Sequence, residues 1–447
     1  MQLTPADAQM YWLSERMPND QFLLFCFATD ADVDAVRETV RSRVRQMGEL
    51  LCHVRDVPGH IDYPYWAPRR FGDDLVVGHR LTDSSWTGLQ GELGALVATS
   101  LDARKSPWRL HVFPGVRDAP GCDDAALVVV WQVSHAFADG RRATRLARAL
   151  FGTGEPPVSV RPPAVPSSPV MLARAFAGFP GRVARTFSAG RRAADAARAL
   201  DAATAAGEIP PPAPGRPLTG LDTDPGTERS VRMVVCPAAL FRSGGHTITT
   251  VALTAVSVAV SRFLAARGED VPDLLGAEVT IAVGAEGAAR NNNYRNAGVE
   301  LFVTEPDLRI RATRIAADLA ERRARVTHPL PAQRDAATEH VPAPALRFGI
   351  VRYPATVLPV TVTGNTVVSS VDRGPADLAL AGGPVMFSAG FPGLSPAMAL
   401  THGVYGLGET VTIGVAAGTR AVPDVDVYEQ MLRAAVEEVG AALALGD

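Results

Sequence analysis

The sequence predicts a mixed α/β (α+β) chain made of two sheet-containing lobes. Three observations carry this expectation. Apolar, β-branched runs alternate in both halves with segments whose apolar residues recur every three or four positions. A proline- and arginine-rich stretch, 155–224, separates the halves. The 447 residues exceed what a single core usually fills, and a hydrophobic content of 47% with 20% charged residues supplies apolar surface for two.

The elements follow in order. Residues 22–27 (FLLFCF) read as a buried strand. Val33, Val36, Val40, Val44 and Met47 then mark one face of an amphipathic helix. Residues 125–133 (AALVVVWQV) are apolar and β-branched, as a central strand requires. A loop follows, and Ala143, Leu146, Ala147, Leu150 and Phe151 face one way on a second helix. The crossover holds proline clusters at 155–169 and 209–217, which favour extended connections. The Ala/Arg-rich segment between them is helix-prone, with a break expected at Pro180-Gly181. In the second half, strands are expected at 231–235, 278–283, 298–303, 366–371, 384–388 and 410–415. Helices are expected at 249–266 with a glycine stop at Gly268, at 307–326 with Leu308, Ile315 and Leu319 inward, and at 424–443. These readings divide the chain into an N-terminal lobe (1–154), a crossover (155–224) and a C-terminal lobe (225–447). No short-period repeat is visible.

Composition removes several functions. A net charge of −3 gives no electrostatic case for nucleic-acid binding. The only lysine is Lys105, a bias of the kind GC-rich genomes impose. It lies in no glycine-rich loop, which excludes a P-loop NTPase and argues against Schiff-base chemistry. Cys26, Cys52, Cys122 and Cys236 form no CxxC pair, and His111, His246, His328, His340 and His402 lack metal-ligand spacing, so no metal is assigned. The opening residues lack a basic segment followed by a long apolar one, so the expected setting is the cytoplasm, with reduced thiols. No apolar run approaches the ~20 residues of a membrane span. Residues 251–260, interrupted by Thr254 and Ser257, read as part of a buried helix.

The chemistry concentrates in residues 134–140, SHAFADG, where a buried strand gives way to a helix. A histidine there projects from a rigid edge, and its ordinary pKa of ~6.5 lets it take and return a proton near neutrality. Asp139, at the helix start, can cap free N–H groups or pair with an arginine. Gly140 would allow a backbone conformation or a close approach denied to other residues. Spacing alone equally suits a structural histidine with Asp139 as an ordinary N-cap.

The loop, with other landmarks, resembles the wax ester synthase/diacylglycerol acyltransferase family. That family lies in the chloramphenicol-acetyltransferase-like superfamily, which also holds condensation domains. The family signature, His-His-x-x-x-Asp-Gly, stands here as SHAFADG, with Ser134 in place of the first histidine. LTPADAQMYWL, LDARKSPWRLHVFPGV, TTVALTAVSVAVSRFLAARGE, NTVVSSVDRGP and AVPDVDVYEQMLRAAVEEV are similar to further family stretches, in the family's order, over most of the chain. The departures are polar: Thr249-Thr250 replace an Asn-Asp pair, Ser370 replaces an asparagine, and one extra residue precedes Gly374.

The resemblance implies two chloramphenicol-acetyltransferase-like lobes, each a mixed sheet with flanking helices, and an active-site channel between them. It implies an O-acyltransferase in which His135 is the general base and Asp139 holds the loop through an arginine partner. Ser134, Gly140, Thr249, Asn365 and Ser369 are candidates for lining the substrate site, although turn, cap or strand roles suit Thr249, Asn365 and Ser369 as well. Acyl-CoA is then a co-substrate rather than a bound cofactor, and the partner is a small alcohol or a lipid. Two alternatives remain: a specialised-metabolite acyltransferase using CoA or a carrier protein on a hydroxyl or amine, and a catalytically silent acyl- or partner-binding protein.

Other features have plainer readings. Asn291-Asn292-Asn293, before Tyr294 and Arg295, could bind a phosphate or a polar headgroup but reads more simply as a solvated loop, and residues 403–408 (GVYGLG) read as a glycine-bearing turn. Trp108 and Trp131 read as core, or as a border of the channel. In 171–200, six arginines and Phe176, Phe179 and Phe187 meet a single acid, Asp195. That segment either covers the crossover as a surface helix or rests on an anionic membrane.

Overall fold

The computed structural model of the protein describes residues 1–284, 291–353 and 357–444. The first half supplies α1 (Pro5–Leu13), β1 (Gln21–Phe27), α2 (Val33–Val44), β2 (Cys52–Arg55), β3 (Tyr65–Pro68), β4 (Val76–Gly78), α3 (Trp86–Val97), β5 (Trp108–Val116), β6 (Ala126–Val133) and α4 (Gly140–Phe151). The crossover holds α5 (Ser168–Ala205). The second half supplies β7 (Arg229–Pro237), α6 (Ile248–Ala266), β8 (Gly276–Ala282), β9 (Tyr294–Glu300), α7 (Leu308–Thr327), α8 (Pro329–Asp335), α9 (Ala343–Arg352), β10 (Thr366–Asp372), β11 (Ala379–Leu380), β12 (Gly383–Phe391), β13 (Leu400–Leu407), β14 (Thr410–Gly418) and α10 (Val425–Ala444).

Two mixed sheets organise the molecule. One runs β11-β12-β1-β6-β5-β4, the other β7-β14-β13-β10-β8-β9. Every residue of β6 is buried, as its unbroken apolar run requires. Val36, Val40, Leu146 and Leu150 of α2 and α4 cover one face of the first sheet against Phe25, Phe27 and Trp131. On the other face, Leu89 and Leu93 of α3 pack with Phe22, Leu24 and Phe387, and also with Val231 and Met233 of the second sheet. A shared core therefore fills the seam between the lobes. In the second lobe, α6, α7 and α10 pack with Val404 and Ile413 in a third core. Each such large side chain contributes about 1.5–3 kcal/mol on burial. Trp108 and Trp131 are both fully buried core residues.

The helix α6 is long and apolar enough to reach across a bilayer, but it is packed inside the protein. Its two polar interruptions are satisfied locally. Thr254 Oγ1 donates to Thr250 O and Ser257 Oγ donates to Thr254 O. The expected stop holds: Gly268 has a φ of +71°, and its N–H donates to Ala265 O.

Several expectations need correction. Helix α5 runs unbroken through Pro180. Pro180 and Phe176 are both solvent-exposed, so water can satisfy the carbonyl that proline leaves without a donor. The strand expected at 298–303 is β9, shifted to Tyr294–Glu300, because Ala282 pairs with Tyr294 across from β8. GVYGLG is no turn: it lies largely in the strand β13. Gly403 answers to crowding where the two sheets meet. A Cβ there would stand 2.9 Å from Gly390 O in β12, and one on Gly414 of the neighbouring strand β14 would stand 2.2 Å from the same atom. Finally, the boundary at 224 does not separate the sheets. Strands β11 and β12 come from the second half yet pair within the first sheet, with Phe22 opposite Phe391 and Phe25 opposite Ser388.

Candidate active site

A cleft of about 1250 Å³ lies between the lobes. Its walls include His135 and Gly140 from the first lobe and Thr249, Ser369 and Tyr294 from the second. The loop that carries His135 is held from several sides. Ser134 is buried and is absent from the cleft wall; its Oγ accepts from Ala136 N and its carbonyl accepts from Phe137 N. The residue in place of the family's first histidine thus shapes the turn. Gln21 Nε2 donates to Ala138 O, and Phe137 packs edge-on against Trp66.

Asp139 is buried and caps α4. Its Oδ1 accepts from Arg142 N at 2.8 Å and its Oδ2 accepts from Asn293 N at 2.9 Å. These backbone amides take the place of the arginine expected from the family resemblance; the Arg142 guanidinium instead donates to Glu49 and Asn291. The expectation for Gly140 also changes. A Cβ there would make ordinary contact with Val371 at 3.5 Å, so neither positive φ nor steric exclusion demands glycine.

The run 291–293 is not a solvated loop. It crosses from the second lobe and locks onto the SHAFADG loop and α1. Asn291 is buried; its Nδ2 donates to Asp7 Oδ2 at 3.2 Å and its carbonyl accepts from Asp139 N at 2.8 Å. Asn292 Nδ2 donates to Asp7 Oδ1 at 3.0 Å and to His135 O at 2.7 Å. Asn292 Oδ1 lies 3.3 Å from His135 Nδ1. Tyr294 stands beside the imidazole, with ring centroids 5.9 Å apart. No protein partner reaches His135 Nε2 among the described residues. Burial lowers the His135 pKa below its ordinary 6.5, while Asn292 and the Asp139 charge pull it back up.

The remaining candidates divide. Thr249 and Ser369 line the cleft. Thr249 Oγ1 donates to Ser370 Oγ at 2.9 Å, so two of the positions at which the chain departs from the family pattern touch each other. Asn365 does not reach the cleft wall. It is fully buried, accepts from Gly276 N and donates to Pro217 O and Asp222, which pins the end of the crossover. Sequence reasoning missed Asp7, Asn291 and Asn292; the run of three asparagines is the one signal that marks the latter two, and no local signal marks Asp7. It also missed Glu278, a cleft carboxyl that burial pushes up and Asn296 holds down. Also on the cleft wall, Arg141 and Arg145 of α4 and Arg323 of α7 are exposed and make no carboxylate contact among the described residues. No group of side chains that could hold a metal ion occurs among the described residues.

Comparison with known proteins bears on this geometry. The catalytic-domain profile of wax ester synthase/diacylglycerol acyltransferase matches residues 3–242. No curated protein sequence matches the chain. Among solved structures, the wax ester synthase/diacylglycerol acyltransferase from Marinobacter aquaeolei VT8 is similar with a TM-score of 0.65 at 18% identity, covering 100% of this chain and 99% of that one. A starter condensation domain of rhizomide synthetase, solved with C8-CoA, is similar with a TM-score of 0.56 at 13% identity, covering 99% and 94%. The first condensation domain of the calcium-dependent antibiotic synthetase has a TM-score of 0.56 at 14% identity, covering 98% and 95%.

Proposed function

The chain belongs to the wax ester synthase/diacylglycerol acyltransferase family and is an acyltransferase, and on that premise we propose that it carries an acyl group from acyl-CoA to an acceptor hydroxyl with His135 as general base. The observation that carries the reading is a histidine with an unengaged Nε2 on the wall of a cleft shared by both lobes. Nε2 takes the hydroxyl proton as the acceptor oxygen bonds to the thioester carbonyl carbon. The C–S bond then breaks, and the imidazolium returns the proton to the leaving thiolate. The lowered pKa keeps the ring neutral, and so able to accept, at neutral pH. A cleft of about 1250 Å³ exceeds the ~300–1,000 Å³ of common ligand pockets, which suits two substrates meeting end to end.

Charge supports CoA as the donor form. Arg141, Arg145 and Arg323 offer three accessible cations on the cleft wall, matched to the phosphates of CoA. The C8-CoA bound by a condensation domain of the same fold supports this choice. The test is thiol release from acyl-CoA across alcohol and amine acceptors. Release that depends on an alcohol is expected; release with amines alone would overturn hydroxyl transfer. The double variant Arg141→Glu/Arg145→Glu should raise the KM for acyl-CoA roughly tenfold. Its effect on a phosphate-free N-acetylcysteamine thioester should be much smaller.

A second reading, a specialised-metabolite acyltransferase, draws on Thr249 and Ser370 standing where the family carries asparagines. Higher turnover with small hydroxylated products than with long-chain alcohols or diacylglycerol would favour it. An absence of thiol release with every acceptor would leave the silent, acyl-binding alternative.

Peripheral attachment at the cytoplasmic side of a membrane is part of the proposal. Phe176, Phe179 and Phe187 of α5 are exposed, and Arg174, Arg185, Arg191 and Arg192 make no ion pair among the described residues. The protein should co-sediment with vesicles containing anionic lipid, and Phe176→Asp/Phe187→Asp should release it. Equal recovery with neutral vesicles, or none with either, would remove this part of the reading.

A further inference from the structure

We propose that Asn292, reaching over from the second lobe, and Asp7, reaching in from α1, are positioning residues that fix His135 in the tautomer able to accept a proton at Nε2. The inference rests on His135 being the base and concerns what prepares it.

The argument begins with the Asn292 amide. Its nitrogen edge is committed twice, to Asp7 Oδ1 at 3.0 Å and to the His135 carbonyl at 2.7 Å. A carbonyl oxygen only accepts, and so does a carboxylate. Burial pushes the Asp7 pKa up to about 6, with Thr4, Asn292 and the Arg142 charge resisting the rise, so Asp7 is a carboxylate at neutral pH. Both partners therefore demand N–H donors, and the amide cannot be flipped without facing oxygen towards oxygen. The edge left for His135 Nδ1, at 3.3 Å, is Oδ1, an acceptor. A neutral imidazole carries one proton. An acceptor at Nδ1 draws that proton there and leaves Nε2 with its lone pair.

Asp7 does more than hold one amide. It also accepts from Asn291 Nδ2 at 3.2 Å, and Asn291 O accepts from Asp139 N. Four parts of the chain thus meet at the base: α1, the SHAFADG loop, the start of α4 and the segment leading into β9. The imidazole is set only when the second lobe is seated on the first.

The experiment pairs spectroscopy with kinetics. With ¹⁵N-labelled histidine, the His135 signals, identified by their loss in His135→Ala, should report the Nδ1–H tautomer in the wild-type protein. Asn292→Ala should shift them towards a mixture and lower kcat about 10–100-fold, with donor KM changed less than about twofold. This lies below the ~10⁴-fold effect of a wrong tautomer in a catalytic triad, because water can replace the lost acceptor. Asp7→Asn should act in the same direction. The swap Asp7→Asn/Asn292→Asp keeps the net charge and the acceptor at Nδ1 but turns an oxygen towards the His135 carbonyl. It should therefore recover only part of the rate lost in Asn292→Ala and should move the acid limb of the pH profile upward, since a carboxylate then faces Nδ1. Wild-type kcat in Asn292→Ala would overturn the proposal. So would a loss of rate with an unchanged tautomer and a lowered melting temperature, which would mark a purely structural role. Full activity in His135→Ala would instead remove the general-base reading and leave the tautomer measurement standing.

Discussion

His135→Ala is expected to lower kcat by about 10²–10⁴-fold, the usual worth of a positioned general base, while the protein remains folded. The side chain lies on the cleft wall rather than in any of the three cores, so its removal leaves the packing intact. Circular dichroism and melting close to wild type, together with the lost turnover, are the expected pair of results. Wild-type turnover by a folded variant would sink the assignment. The pH profile carries a second, independent sign. Protonated imidazole cannot accept, so activity falls as pH drops through the His135 pKa. Burial places that pKa below 6.5, so kcat/KM should be flat at neutral pH and decline only in the acid range. A limb rising through pH 7–8 would contradict a desolvated imidazole.

Asp139→Ala should damage stability and rate together. The carboxylate caps α4 at Arg142 N and ties Asn293 N to the same loop. Loss of an N-cap costs about 0.5–2 kcal/mol, and the abandoned amides add to it, so about 1–3 kcal/mol is expected. Calorimetry should show the lower melting temperature. Turnover should fall because the Asn291–Asn293 segment that positions the imidazole loses one of its anchors. Asp139→Asn should retain part of the cap and fall between the two. Unchanged melting and activity in Asp139→Ala would show that the cap has no structural weight.

How much of this was legible in the sequence differs by element. Strands β1 and β6 announced themselves as unbroken apolar runs, because a strand buried on both faces has no polar alternation to hide it. The SHAFADG loop was legible through its chemistry. The strand β13 was not, since Gly403 answers to the close approach of Gly390 O in β12, a strand of the other sheet. Asn291–Asn293 looked like solvent-facing polarity for a similar reason: its partners, Asp7 and the backbone around His135, are more than 150 residues away. Asn365 erred in the opposite direction. Polar and close to a family landmark, it suggested a cleft residue, yet it spends all its hydrogen bonds on Gly276, Pro217 and Asp222. Thr249 and Ser370 were legible singly, as departures, but only tertiary structure joins them.

The pairing of β12 with β1 has a consequence for how the polypeptide is made. The first sheet cannot close until Gly383–Phe391 has left the ribosome, because that strand supplies the partners of Phe22 to Phe27. Throughout synthesis of the crossover and most of the second lobe, the N–H and C=O groups along that side of β1 remain open. An apolar strand with an open edge is the kind of surface that pairs with other chains or is shielded by a chaperone. Nascent chains of this protein therefore remain committed but unfinished until Gly383–Phe391, the segment that completes the first sheet beside β1, has emerged.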